Sequence, residues 1–465
     1  MPATLSPPSD PFREFEPSAD QPFDDRWTNH LFRRAAFGAN ADELDRFAGK
    51  EPSHALDYLF NYDPADDPMA KQFNELVGFI NPNNPGDIQN WWLHRMLHSE
   101  HPMQEKITLF WHGRFATSLG KVEQAILMNR QIDLFRRQGM GNYRDLLVAL
   151  GHDPAMLIWL DGRFNHKGKP NENYGRELME LFTLGIGNYT EKDVKEMARC
   201  FTGWQLKDNE PIFTKEQFDS GEKTILGKTG NFDSESAIDV ILQQPAAPKF
   251  LARHLLAEFV HPTPGDEQVA HYAQRLLDLN WEIKPVVREM LSSRMFFSEW
   301  AYRSKIKSPV ELVVGACHAI GGKVSDQFLR DQTSKMGQSL LYPPSVKGWD
   351  GQEMWINANT VLLRFNVGLA LAEQGNNAFA VRADLESDLA THKIKSTQQI
   401  VDHFARVMLD GKVDTESRKK LLDYIKRDTK SKPGSSMMMM DESANSGKVR
   451  GMLHLMMSMP EYQLA

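Results

Sequence analysis

Glu177 and Glu180, three residues apart in NYGRELMELF, are the side chains whose type and spacing best suit acid–base or metal chemistry. A helix turns about 100° per residue, so Tyr174, Leu178, Leu181 and Phe182 form one apolar stripe, with Asn173, Glu177 and Glu180 flanking it. Half-buried carboxylates are costly unless they are paired or hydrogen-bonded. Arg176 shares the helix but points away from that edge, so the partner comes from elsewhere: Arg199, Arg114, a histidine or a metal ion. Two readings stay open. In one, Glu177 or Glu180 is a general base or metal ligand; in the other, the same residues are a hydrogen-bonded network holding helices in register.

Glu105 and His112 are seven apart and therefore share a helical face. Facing side chains in helical bundles build metal centres, which makes Glu105, His112 and Glu177 a candidate set for a divalent metal, with His112 also a proton carrier. The Glu-x-x-His spacing of di-iron bundles is absent. His94, His98 and His101 have helical spacing, but Arg95-Met96-Leu97 lies between the first two, so they read as packing or surface histidines. A third group surrounds tryptophans. Asn171, Glu172, Asn173 and Arg176 at a helix start, with Trp204, Trp349, Trp355 and Asn357, offer the aromatic faces and polar groups of a substrate-binding, carbohydrate-type cleft. Buried core tryptophans and capping asparagines explain them equally well.

Helices must position these groups. Asp87 is the expected N-cap of a helix through Trp91 and Trp92, and Pro102 suits the first turn of the next. Thr190 with Asp193 heads a helix whose buried face is Val194, Met197, Ala198 and Phe201, giving with 172–185 a helical hairpin. Ser308-Pro309-Val310-Glu311 is a capping box with proline at the first helical position. Residues 205–235 and 340–358 read as long irregular loops, the first with at most a short β-hairpin. Asp219, Ser220, Gly221, Lys223 and Gly227 lack the spacing of a phosphate-binding loop.

The expected fold class is therefore all-α, a single large multi-helix domain. Residues 1–25 form a disordered or extended proline-rich arm, 26–428 the helical core, 429–447 a flexible Met/Ser-rich loop and 448–465 a C-terminal helix docking on the core. Met437–Met440 lack neighbouring His or Cys, which favours a surface loop over a soft-metal site. Of 465 residues, 41% are hydrophobic and 25% charged, the balance of a globular chain. The net charge of −8, with both signs interspersed, argues against nucleic acid as the main partner. Two cysteines, Cys200 and Cys317, make neither a disulfide framework nor a zinc knuckle. No apolar run reaches the roughly 18 residues a membrane span needs. Arg33-Arg34 is followed by polar sequence, so it is not read as a twin-arginine signal, and the expected location is cytoplasmic.

Six stretches carry a resemblance: HLFRRAAFG (30–38), EKITLFWHGRFATS (105–118), NENYGRELMELFTLGIGNYTEKDVKEMARCFTGW (171–204), SGEKTILG (220–227), PPSVKGWDGQEMWIN (343–357) and MPEYQ (459–463). Together they resemble the bacterial family known as domain of unknown function 1800, from about residue 26 onward. The resemblance implies a large helical unit, often encoded beside a sulfatase-like protein that would be its partner, and many members are exported. It supplies no catalytic residues. Relatives often carry a second histidine two residues after Phe-Trp-His, where this chain has Arg114. A ligand or proton-shuttle role for that histidine is therefore weakened here.

Overall fold

Capping chemistry sets where the helices begin. The computed structural model describes residues 5–75, 80–321, 324–372, 385–426 and 442–465. Asn84, not Asp87, caps the helix Pro85–His98: its side-chain oxygen accepts from the backbone of Gly86 and Asp87. Asp87 instead accepts from the Asn81 N–H at 3.0 Å. Pro85 at the first position explains the shift, since a proline there needs no donor partner and the cap falls one residue earlier. Pro102 opens the helix Pro102–Arg114 as expected. Thr190 with Asp193 and Ser308 with Glu311 are both complete capping boxes.

The architecture is all-α. Twenty-three α-helices and two antiparallel two-stranded sheets make up the described residues. None of the helices is long and apolar enough to cross a membrane. The stretch read as one loop with at most one hairpin holds two: β1 (Trp204–Lys207) with β2 (Glu210–Phe213), and β3 (Lys223–Ile225) with β4 (Lys228–Gly230). Asp208 and Asn209 take φ of +52° and +65° between the first pair, a turn that matches strand twist. The strands are only three or four residues long, too short for their alternation to stand out in sequence.

The helix expected over 172–185 changes character midway. Asn173–Glu177 is α-helical, and Leu178–Thr183 widens to a π-helix. The Thr183 hydroxyl donates to the Leu178 carbonyl five residues back at 2.6 Å, and the Tyr143 hydroxyl donates to the Phe182 carbonyl at 2.5 Å. These donors satisfy carbonyls that a widened turn leaves without their usual partners. The apolar stripe still faces inward: Tyr174, Leu178 and Phe182 are buried, and Leu181 is half-buried against the core.

One apolar cluster runs from Phe15 to Tyr462. The arm before Asp25 lies along the chain near 292–297, where the Phe15 N–H donates to Ser292 and the Phe15 ring stacks on Phe297 at 4.6 Å. The helix Glu442–Met457 docks through Val449, Met452, Leu453 and Met456, and packs against Ala358–Ala372. The four methionines 437–440 lie outside the described residues.

Candidate functional site

A cavity of about 250 Å³ opens where three elements meet. The last turn of Pro102–Arg114 supplies Phe110, Gly113 and Arg114; the helix Ala246–Phe259 supplies His254 and Glu258; the 337–355 loop supplies Trp349, Asp350 and Trp355. Gly348 lets that loop approach. At φ +84°, a Cβ there would lie 2.1 Å from the Gly113 carbonyl oxygen, a distance no side chain tolerates. His112 fastens the same loop from below, its Nε2 accepting from the Leu341 N–H at 3.1 Å. Burial pushes the His112 imidazole down to about 3, so the ring is neutral with its proton on Nδ1.

Beneath the cavity lies a buried charge cluster. The Lys305 amine donates to Glu258 at 2.6 Å and to Glu311 at 3.2 Å, and the Lys106 amine also bonds Glu311. Burial opposes ionisation of Glu311, but the two ammonium groups win and hold its carboxyl well below the usual range. Arg34, fully buried, feels both carboxylates and donates to the carbonyls of Ala301 and Ala465 at 3.0 Å. Arg114 completes the set. It makes no hydrogen bond or ion pair among the described residues, and burial lowers its pKa. Arg34, Lys106, Lys305 and Arg114 thus face Glu258 and Glu311, two positive charges in excess. Asp350, at the rim, is paired with Lys347.

His254 lines the cavity beside Arg114. Its Nδ1 lies 2.8 Å from the Phe250 carbonyl, and burial, helped by the charge of Arg114, brings its pKa down to about 3. A neutral ring donating from Nδ1 leaves Nε2 as a lone-pair acceptor.

The residues singled out from sequence divide among several places. Trp349 and Trp355 line this cavity, and with Asn357 they line an adjoining groove. Asn357 also caps the helix Ala358–Ala372, accepting from Asn359 and Thr360 at 3.0 Å. Trp204 lies elsewhere, stacked on His152 at 3.8 Å. Asn171 accepts from the Asn173 N–H, Asn173 donates to Asp161, and Arg176 pairs with Glu191 and Glu172. These four side chains serve the entry to the hairpin.

Glu105, His112 and Glu177 do not assemble into a metal set. Glu105 is fully buried and accepts from Trp92, Arg95 and Arg136 at 2.8–3.1 Å, which occupies both its oxygens. The two guanidinium groups outweigh burial and hold its carboxyl at about 2. The shared face with His112 is real, since Trp92 donates to Glu105 and packs edge-on against His112. Glu177 and Glu180 are neighbours of each other on the hairpin. Burial and then Glu180 raise the Glu177 pKa, and the Tyr189 hydroxyl donates to Glu180. Neither expected arginine serves them: Arg199 pairs with Asp219 and Glu196, and Arg114 is in the cavity.

Sequence reasoning missed Lys106, His254, Glu258, Lys305 and Glu311 as a group. Lys106 carried a signal, a lysine inside the apolar run EKITLFW, and Glu311 was read only as a cap. Their meeting is tertiary, across up to 205 residues of chain.

What the fold and cavity define is an all-α protein with a charged, tryptophan-rimmed pocket. The chain belongs to the family described as protein of unknown function (DUF1800), whose model matches residues 30–464. No curated protein and no solved structure matches it.

Proposed function

We propose that the protein binds a small polar ligand bearing a carboxylate, phosphate or sulfate group in the cavity below Trp349 and Trp355. One observation carries this reading: Arg114 is half-buried in the cavity wall, near the Glu258 charge but in no hydrogen bond or ion pair among the described residues. Its planar donors are free to take a ligand anion with two acceptor oxygens. The cavity of about 250 Å³ suits a monosaccharide-sized molecule, with indole faces for its apolar side. A charged, glycan-derived ligand fits both features. It is also the kind of molecule a sulfatase-like partner would release.

In a hydrolytic version of this function, His254 Nε2 takes the proton of a water that attacks the ligand's glycosidic or ester carbon, and returns it to the leaving oxygen as that carbon–oxygen bond breaks. A ligand anion seated on Arg114 cancels part of the field that depresses His254 and raises its basicity. Glu177 and Glu180 are a second candidate for acid–base work, favoured by the raised pKa of Glu177 beside a like charge.

The test is a thermal-shift and calorimetric panel of sulfate, phosphate, uronic acids and sulfated monosaccharides. A ligand at 100 times its Kd stabilises the wild type by about 2.7 kcal/mol, and Arg114→Gln loses that gain while still folding. Binding that Arg114→Gln leaves intact, or no binding by the wild type, returns the cavity to a structural role in a non-catalytic assembly protein.

A further inference from the structure

On the opposite theme of free anions, Asp388, His392 and His403 gather where two C-terminal helices meet an N-terminal one. Asp388 and His392 are four apart at the end of Leu385–Thr391, and His403 projects from Thr397–Leu409. One ligand atom from each lies within 4.8 Å of the others, the only such group found among the described residues. His403 Nε2 is 2.9 Å from the Asp388 carboxylate, and the two imidazole rings are 5.0 Å apart.

A second observation comes from His392 itself. Its Nδ1 lies 3.0 Å from the Asp388 backbone carbonyl, so that nitrogen carries the proton. Its buried Nε2 has no hydrogen bond, yet stands 3.3 Å from Asp42 Oδ1 and 3.9 Å from Asp45 Oδ2. The two carboxylates crowd this nitrogen without lying on its bonding axis, and a cation on Nε2 is attracted by the ring lone pair and by both carboxylates. The surrounding charge agrees: among the described residues, Asp25, Asp42, Asp45 and Asp388 have one arginine or lysine partner, Arg406, which pairs with Asp25 and Asp45.

We propose a divalent transition-metal site, with zinc the best match, formed by Asp388, His392 and His403, with Asp42 a nearby carboxylate outside the ligand set. Two imidazoles and a carboxylate are a donor set zinc takes in tetrahedral geometry. The bond from His392 Nδ1 to the Asp388 carbonyl is the outer-shell contact that fixes a ligating ring. The site lies where the helix Ala41–Phe47 meets residues about 350 positions later, through the approach of Asp42 to His392. It shares no residue with the cavity and stands apart from the ligand-binding proposal.

Cobalt(II) is the probe, added to full-length metal-stripped protein and followed by visible absorption, with zinc calorimetry beside it. One saturable equivalent, the intense bands of four-coordinate cobalt and a higher melting temperature are expected. His392→Ala and His403→Gln should each weaken binding by more than about tenfold, the loss that even an outer-shell change can cause. His94→Ala, at a separate histidine pair, should bind as the wild type does. His392→Ala removes a partly exposed ring, so it decides the matter if His403→Gln fails to fold. The proposal is overturned by the absence of one-equivalent binding, or by binding that survives in folded His392→Ala.

Discussion

Glu105 shows how one residue type at one spacing admits opposite roles. A buried carboxylate seven residues before a histidine is what a metal ligand looks like in sequence. The structure surrounds it with Arg95, Arg136 and the Trp92 indole, and that donor set makes it a structural anion. The consequence is testable by pH. Its pKa falls from 4.5 to about 2 on folding, so the stabilisation is complete above 4.5 and disappears as pH falls through the range down to 2. That difference corresponds to about 3 kcal/mol. Glu105→Gln should lose an amount of this order at neutral pH and flatten the acid limb of a stability-against-pH curve. An unchanged acid limb would return Glu105 to the list of functional candidates. Arg114 is the converse case: from sequence it was a departure from its relatives, and only the fold shows that it makes no hydrogen bond or ion pair among the described residues.

Elements were easier to read than the contacts between them. Thr190 with Asp193, Pro102 and the Ser308 box set helix starts through local chemistry, and local chemistry is written in adjacent residues. The π-turn at Leu178–Thr183 was hidden, because its support comes from Tyr143, distant in sequence. The stretch 340–358 was read as irregular and functional-looking, but not what it leans on. Gly348 is the hinge of that arrangement. Gly348→Ala would set a methyl against the Gly113 carbonyl at a backbone angle that L-residues avoid. The loop must lift, at a cost of about 1–3 kcal/mol. Melting temperature should fall, and anion binding should weaken with it, because Trp349 and Trp355 move away from Arg114. Alanine tolerated with binding intact would mean that the loop does not roof the site.

At the scale of the molecule, helical periodicity was enough for the all-α class, whereas the cavity depends on closure between chain ends that no window of sequence contains. Arg34 is where that closure concentrates. It sits in the first helix, donates to Ala301 and Ser304 in the middle of the chain and to Ala465 at the far end, and stands behind the Lys305–Glu311 cluster. The Ala465 N–H returns a bond to the Lys305 carbonyl at 2.7 Å, so one guanidinium fixes both the terminal segment and a cavity lysine. Arg34→Gln strands several buried acceptors and halves the excess positive charge under the ligand. Such a change costs about 3–5 kcal/mol, as removal of one member of a buried ionic group does. Since Arg34 touches no ligand, the structural loss should dominate: melting drops steeply, while residual anion affinity in the folded fraction falls less than in Arg114→Gln. The reverse order would place the anion deeper, on Arg34 itself, and make Arg114 the gate above it.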